Sequence, residues 1–166
     1  YGIVQAGPEV EGGVPYIRTG DIKNGLILEH QLARTSHDIA NSYSRSALSV
    51  GDIVMSIRAT VGTTAVVPSS LDGANLTQGT ARISPRTGVS VQYLLNYLRT
   101  DSIQRWIQSH VKGATFREIT LGKLRQLPVF IPSARLQDCF VERTGAVEQL
   151  KQRASDAGTE LDALFA

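Results

Sequence analysis

Residues 136–166, LQDCFVERTGAVEQLKQRASDAGTELDALFA, carry the most regular pattern of the chain. Two sets of mostly apolar residues recur every seven positions, interrupted at Arg143, and they interleave at spacings of four and three. This is the a/d pattern of a coiled coil, and it predicts a helix of roughly 46 Å that pairs with another helix. Because Gly145 and Gly158 weaken such a helix, a terminal helix packed on its own domain remains the alternative. The residues of this heptad seam are Leu136, Phe140, Val147, Leu150, Ala154, Ala157, Leu161 and Leu164.

Residues 14–85 favour a set of short β-strands. Asn24-Gly25 stands between apolar residues and predicts a hairpin, because both residues tolerate a positive φ. Pro68 and Pro85 each end a run of strand-forming residues. The polar residues that follow the hairpin predict a loop or a short helix at 33–46, and a turn is expected at 71–75. Strands are predicted at residues 16–19, 51–57, 64–67 and 80–83.

The apolar period changes to helical spacing from residue 91 onward. Two apolar stripes over residues 91–111 do not lie on one straight helix, and Thr100-Asp101-Ser102 between them is typical of a helix N-cap. Two short helices or one kinked helix are therefore predicted, and residues 121–131 predict a short helix followed by an extended segment. The chain is thus predicted to be α+β, with a β-rich globular domain and packed helices over residues 1–133 and a long coiled-coil-like helix over residues 134–166.

Composition excludes several classes of protein. No apolar run approaches the ~20 residues that span a bilayer, so we expect no integral membrane protein. One cysteine fits a reducing compartment, and one cysteine with three histidines leaves few ligands for a transition metal. The sequence has no P-loop, no dinucleotide-binding fingerprint and no nucleophile elbow. We therefore expect no catalytic residue, no metal and no cofactor; a hydrolase with an unrecognised site is the weakest alternative.

Polar loop clusters give the functional signal. The net charge is +2, but residues 1–133 hold 13 basic and 9 acidic residues, and arginine supplies 13 of the 17 basic residues of the chain. Arginine, threonine and glutamine donate to phosphate oxygens and to base edges. Arg58 and Gln78 are expected to read base edges, whereas Lys112 and Arg117 are expected to bind phosphates. The predicted DNA-contacting residues are Arg18, Arg45, Arg58, Thr60, Thr63, Gln78, Lys112, Thr115 and Arg117.

The order and spacing of several short motifs resemble one half of the specificity subunit of a Type I restriction–modification system. Such a half is a target recognition domain followed by a long helix, and the resemblance covers nearly the whole chain. Family chains usually carry two such halves, so this chain corresponds to a fragment or to a half-subunit that pairs with a copy of itself. The motifs are Tyr1-Gly2-Ile3, Pro15-Tyr16-Ile17-Arg18, Gly20-Asp21-Ile22, Gly51-Asp52-Ile53-Val54, Gly113-Ala114-Thr115, Pro128-Val129-Phe130-Ile131-Pro132 and Leu164-Phe165.

The resemblance implies a non-catalytic, cytoplasmic reader of one half of a split double-stranded DNA target. It also implies that separate methyltransferase and restriction subunits carry out methylation and cleavage, and that the helix spaces the half-sites and docks the methyltransferase subunits. A homodimer through the C-terminal helix is the corresponding arrangement for a half-subunit. Two alternatives remain open: the recognition domain of a fused methyltransferase or restriction enzyme, which the heptad helix disfavours, and a protein-interaction module without affinity for DNA.

Overall fold

Short strands and short helices precede one long helix in the computed structural model, which describes residues 2–164 and their side chains as far as Glu160. The α+β prediction is confirmed. The strands are β1 (Val14–Ile17), β2 (Ile22–Lys23), β3 (Leu26–Ile27), β4 (Arg34–Thr35), β5 (Ile53–Ser56), β6 (Thr64–Val66), β7 (Asn75–Leu76) and β8 (Thr80–Ile83). The helices are α1 (His37–Ser42), α2 (Val91–Leu98), α3 (Asp101–Ser109), α4 (Leu121–Leu124) and α5 (Ala134–Leu164).

Strand β5 is the centre of the fold. It pairs antiparallel with β6 on one side and with β8 on the other, and all four of its residues are buried. Because successive side chains of a strand point to opposite faces, Ile53 and Met55 pack on α2 and α3, whereas Val54 packs with Ile17 and Leu76. One strand therefore joins two hydrophobic clusters, which explains why residues 53–57 form a nearly continuous apolar run rather than an alternating one.

The hairpin predicted at Asn24-Gly25 is confirmed. Ile22 pairs with Ile27 and Lys23 with Leu26 in an antiparallel register. Asn24 and Gly25 have φ values of 50° and 78°, so both central residues of the turn are left-handed. Such a turn matches the natural twist of the two strands that it connects, which is the reason that Asn-Gly favours it.

A mixed sheet forms from β4, β1 and β7, with β1 antiparallel to β4 and parallel to β7. The prediction of a turn at 71–75 is wrong for Asn75, which is extended and pairs with Tyr16. The Asn75 side chain is 1% exposed; it donates to the carbonyl of Ala40 and accepts hydrogen bonds from Ser46 Oγ and from the backbone N–H of Leu76. This buried network is a long-range contact that local sequence does not reveal.

The two stripes over residues 91–111 form two helices, α2 and α3, which is the first of the two predicted alternatives. Ser90 caps α2 by accepting from the N–H of Tyr93. Thr100 lies at the N-cap position of α3, but its hydroxyl donates back to the carbonyl of Tyr97 instead of capping α3. The short helix predicted within 121–131 is α4, and the extended residues after it are tied to α2 by the Tyr93 and Tyr97 hydroxyls, which donate to the carbonyls of Phe130 and Pro128.

Helix α5 begins at Ala134, two residues before the first seam residue, Leu136, and runs for 31 residues. Its first turns pack on α2 through Gln137, Phe140 and Thr144. Gln137 is 1% exposed, donates to the carbonyls of Gly88 and Pro132, and accepts from the N–H of Ser90. Phe140 meets the ring of Tyr93 edge-on at 5.5 Å, and Thr144 accepts from Asn96 Nδ2 at 2.8 Å.

The heptad seam does not supply most of this contact. Gln137 and Thr144 are not seam residues, and Phe140 is the half-buried member of the seam. The other seam residues with described side chains are exposed; those of Leu161 and Leu164 lie outside the described part. The exposed members are Leu136, Val147, Leu150, Ala154 and Ala157. Across residues 2–164, no helix has both the length and the apolar character needed to cross a membrane.

Candidate nucleic-acid interface

The loop between β5 and β6, residues 57–63, is held in a tight conformation. Ser56 pairs with Thr63 and Gly62 through its backbone N–H and carbonyl, at 2.9 Å in each case. The hydroxyls of Thr60 and Thr63 donate within the loop, to Ser56 Oγ and to the carbonyl of Thr60. Ala59 has a φ of 56°, a left-handed conformation that is strained for a residue with a Cβ. Strain of this kind concentrates at functional sites, so the loop is a candidate binding element.

Residues 112–118 lie against this loop. Lys112 and Glu118 exchange two backbone hydrogen bonds, of 2.9 and 3.0 Å, which closes the segment on itself. The N–H of Ala59 donates to the carbonyl of Arg117, and the N–H of Ile119 donates to the carbonyl of Ile57, both at 3.0 Å. Two stretches about 60 residues apart in sequence therefore form one backbone ladder.

Two glutamines of α3 hydrogen-bond to the loop between β5 and β6, and one of them also contacts residues 112–118. Gln104 Nε2 donates to the carbonyl of Gly62 at 3.2 Å, and Gln108 Nε2 donates to the carbonyl of Val61 at 3.0 Å. Gln108 also accepts from the guanidinium of Arg117 through Oε1. Because the two glutamines are four residues apart, they lie on the same face of the helix, and Gln108 links both segments.

Residues 77–79 lie beside the loop of residues 57–63 and form the third part of the candidate interface. The N–H of Ile57 donates to the carbonyl of Gly79 at 2.9 Å, so the turn after β7 lies beside Arg58. A Cβ at Gly79 would meet the Thr19 methyl at 2.9 Å and the Arg58 side chain at 3.8 Å, which shows how closely these parts approach. We call residues 57–63, 77–79 and 112–118 the three-segment surface. It unites seven of the nine predicted DNA-contacting residues, namely Arg58, Thr60, Thr63, Gln78, Lys112, Thr115 and Arg117.

Arg58 and Glu118 form an ion pair across the three-segment surface. Arg58 Nε lies 3.2 Å from Glu118 Oε2, outside hydrogen-bonding direction, and Arg58 Nη2 donates to Oε1 at 3.4 Å. Both side chains are about 40% exposed, so water screens the attraction. The guanidinium is therefore oriented by its partner but remains accessible to a competing anion or base edge.

Arg18 is held in place by contacts within its own chain. Its Nε and Nη2 donate to the two carboxylate oxygens of Asp21 at 3.0 Å, and Nη2 also reaches the carbonyl of Gln31. The hydrogen bond to Asp21 raises the pKa of Arg18 above its ordinary value. The side chain is still 47% exposed, but its planar fork already has a bidentate partner.

Arg45 lies apart from the three-segment surface, beside a second basic feature. A groove of about 720 Å³ runs between β8 and the residues that follow α4. Its floor is apolar, with Leu94 and Leu98 of α2 among the lining residues. The arginines on its walls are Arg45, Arg82, Arg86 and Arg125.

The residues that build the three-segment surface leave little signal in the sequence. For Gln104 and Gln108 the signal is their four-residue spacing, which places both on one helix face, and Glu118 has no such signal. The pairing of Glu118 with Arg58 leaves no local trace, because it depends on how distant loops meet. Arg99 was also missed: it donates to the carbonyls of Thr64 and Gly25, and burial lowers its pKa. Within the described residues, no group of three acidic, cysteine or histidine side chains is placed to hold a metal ion.

Comparison with known families decides the identity of the domain. Residues 5–147 match the family model of the Type I restriction modification DNA specificity domain. The chain belongs to this family. The matched residues include all of the three-segment surface and the first turns of α5, so the candidate interface is part of the specificity domain.

A curated relative agrees with the family. The specificity subunit of the Type I restriction enzyme EcoBI from Escherichia coli is 30% identical over 151 residues, which are 90% of this chain and 31% of that protein. The specificity domain described here therefore spans about a third of the length of this relative.

Solved structures share the fold. The HsdS subunit from Thermoanaerobacter tengcongensis superposes with a TM-score of 0.67 at 19% identity, over 85% of this chain and 37% of that one. A chain from a study of complex assembly and conformational transition in the type I R-M system superposes with a TM-score of 0.63 at 24% identity, over 92% of this chain and 36% of that one. The S subunit from M. genitalium superposes with a TM-score of 0.51 at 16% identity, over 89% of this chain and 35% of that one.

Proposed function

We propose that this specificity domain reads one half of a split double-stranded DNA target through the three-segment surface. Residues 1–133 form the target recognition domain in this proposal, and residues 134–166 form the pairing helix. The observation that carries the proposal is the assembly of Arg58, Gln78, Lys112 and Arg117 on one braced surface. Family membership supplies the context, because the family is defined by DNA specificity.

The side chains divide by chemistry. Arg58 presents a guanidinium fork that matches the two acceptors of guanine, and Gln78, half-buried on the neighbouring segment, has an amide that matches adenine. Lys112 and Arg117 are exposed cations at the ends of a closed segment, where they bind phosphates and set the position of the domain on the duplex. Thr60, Thr63 and Thr115 add hydroxyls, while Arg18 contributes by bracing its own turn and Arg45 flanks the duplex on the side of the groove.

Helix α5 acts as spacer and docking element in this proposal. Leu136, Val147 and Leu150 are 59%, 49% and 63% exposed, and they lie in one seam beside the face that packs on α2. A helix from a second half, or from a copy of this chain, buries that seam. The length of the helix then sets the distance between the two half-sites.

Chemistry belongs to other subunits. Methyltransferase subunits dock on the paired helices and methylate the target, and a restriction subunit joins through the same complex. This division assigns the chain no catalytic residue and no cofactor, and it places the chain in the cytoplasm with the DNA. The exposed seam also favours a second candidate, a protein-interaction module that pairs through α5 and has no affinity for DNA.

The test is a binding selection on randomised duplex DNA at moderate salt, performed with methyltransferase subunits in the presence and absence of this chain. Enrichment of a short motif only when the chain is present supports sequence reading, and two copies at fixed spacing support pairing through α5. Retention of DNA without enrichment means phosphate binding alone, which contradicts the proposal. A stable helix-paired assembly that retains no DNA supports the interaction module instead.

A further inference from the structure

Phe116 protrudes from the three-segment surface. It is 88% exposed, the largest exposed fraction among the exposed large hydrophobic side chains of the described residues. Single exposed apolar residues are common on proteins, so exposure alone assigns no role. Its position and its supports are what distinguish it.

The backbone that carries Phe116 is braced on both sides. Gly113 has a φ of 85°, and a Cβ there would collide with the carbonyl of Phe116, so the segment turns back tightly on itself. The Lys112–Glu118 backbone pair closes the turn, and the carbonyl of Arg117 accepts from Ala59 of the neighbouring loop. The ring therefore projects from a fixed base rather than from a free loop.

The neighbours of Phe116 are cationic and polar. Lys112 and Arg117 flank it in the same segment, and Arg58 lies on the adjoining loop. The other exposed large apolar side chains fall outside all three segments. A protein or membrane partner needs a contiguous apolar area, which this surface lacks. A single ring between cations instead matches duplex DNA, where the ring can insert between stacked bases while the cations contact the phosphates on either side.

We propose that Phe116 inserts as a wedge into the base stack of the bound duplex. This inference deepens the proposed function and rests on it. Insertion unstacks one base step, and pyrimidine–purine steps such as TA and CA/TG open most easily. Phe116 therefore selects a flexible step without a hydrogen bond, in addition to the bases read by Arg58 and Gln78.

The experiment repeats the selection on randomised duplex DNA with the assembled complex, using wild type, Phe116→Ala, Phe116→Leu and Phe130→Ala. Phe130 is the matched control, since it is 67% exposed and belongs to another segment. The enriched duplex is then synthesised with 2-aminopurine at each step in turn. Fluorescence of this base rises when it is unstacked. Because a methyltransferase also unstacks the base that it methylates, the signal assigned to Phe116 is the rise that Phe116→Ala loses and Phe130→Ala keeps.

We expect the wild type and Phe130→Ala to enrich the same motif with a flexible step and to raise fluorescence there. Phe116→Ala loses the preference at that step, loses about tenfold in affinity for the enriched duplex, and gives no rise in fluorescence. Phe116→Leu keeps an apolar wedge and retains most of both effects. An unchanged motif and unchanged fluorescence with Phe116→Ala overturn the wedge but leave the proposed function intact. A wild-type complex that enriches no motif overturns both.

Discussion

Arg58 and Glu118, 60 residues apart in the chain, face each other across the joint between two loops, with Nε 3.2 Å from Oε2. The pair is half-exposed, so it contributes little to stability. Its consequence is functional: the carboxylate orients the guanidinium in the free protein and repels phosphates that approach the same spot. If DNA binds at Arg58, as we propose, it must displace or share the contact with Glu118.

Replacing Glu118 by Gln is expected to raise affinity for random-sequence DNA several-fold. The substitution keeps the shape of the side chain but removes the negative charge beside Arg58 and Lys112, so one further cation becomes available to phosphate. The plot of log affinity against log salt then becomes steeper by about 0.9. Fluorescence anisotropy on a non-cognate duplex across a range of salt concentrations measures both quantities. Glu142→Gln on α5 is the control, because it removes the same charge far from Arg58. An equal rise in affinity with this variant would mean that net charge, and not the contact with Arg58, causes the effect.

Arg58→Ala is expected to cost roughly 1–3 kcal/mol on the enriched duplex and little on random DNA, because a base contact carries sequence information. Lys112→Ala is the contrasting variant: it weakens both duplexes similarly, since phosphates are the same in every sequence. Competition binding with the two duplexes gives the ratio directly. Equal losses for Arg58→Ala on both duplexes would remove Arg58 from the base-reading residues.

Asn75→Ala is expected to lower the free energy of unfolding by about 2–3 kcal/mol, because it removes the three buried hydrogen bonds that the side chain makes with the carbonyl of Ala40, the hydroxyl of Ser46 and the N–H of Leu76. Urea unfolding followed by circular dichroism measures the loss. Asn41→Ala, at an exposed position of α1, is the control and should change stability by less than ~0.5 kcal/mol. Similar values for the two variants would show that the Asn75 network does not stabilise the fold.

Leu150→Glu is expected to abolish pairing of α5 while leaving the melting temperature of the recognition domain unchanged. Leu150 is 63% exposed in the single chain, so a charge there is tolerated until a partner helix buries it. Gln149→Glu adds the same charge at the neighbouring exposed position outside the seam. Sedimentation velocity of the chain, and its co-elution with methyltransferase subunits, compare the two variants. Equal behaviour of both would place the pairing surface elsewhere on the helix.

Local signals predicted much of the fold. The Asn24-Gly25 hairpin, strands β5, β6 and β8, and the break between α2 and α3 follow from turn chemistry and apolar period, which act over a few residues. Strand β7 escaped prediction because Asn75 lies in a parallel pairing with β1 whose partner is 59 residues away. Helix α5 is predicted by its seam, but it packs on its own domain through Gln137 and Thr144. The sequence does not reveal this packing, because a buried glutamine that hydrogen-bonds to three backbone groups cannot be told from an exposed glutamine by sequence.

The candidate site was predictable in composition but not in assembly. Polar loop residues such as Arg58, Gln78 and Arg117 stand out by residue type, and the fold places them together. Residue type alone does not distinguish these residues from Arg45 and Arg18, which lie outside the three-segment surface. Arg45 lines a different groove. Arg18 pairs with Asp21, three residues away, but the sequence does not show whether that carboxylate is paired or solvated. Charge identifies candidates for DNA contact, whereas the pairing of distant loops determines which of them share a surface.

Sequence reading by the three-segment surface is tested by a selection that compares this surface with exposed arginines elsewhere on the chain. The triple variant Arg58→Ala, Gln78→Ala, Arg117→Ala removes the three-segment surface, and Arg86→Ala, Arg125→Ala, Arg135→Ala removes three exposed arginines from outside that surface. Each complex is used to select from randomised duplex DNA, and the enriched motifs are compared with that of the wild type. We expect the first variant to lose the motif and the second to retain it. Retention of the wild-type motif by the first variant would contradict the assignment of sequence reading to this surface.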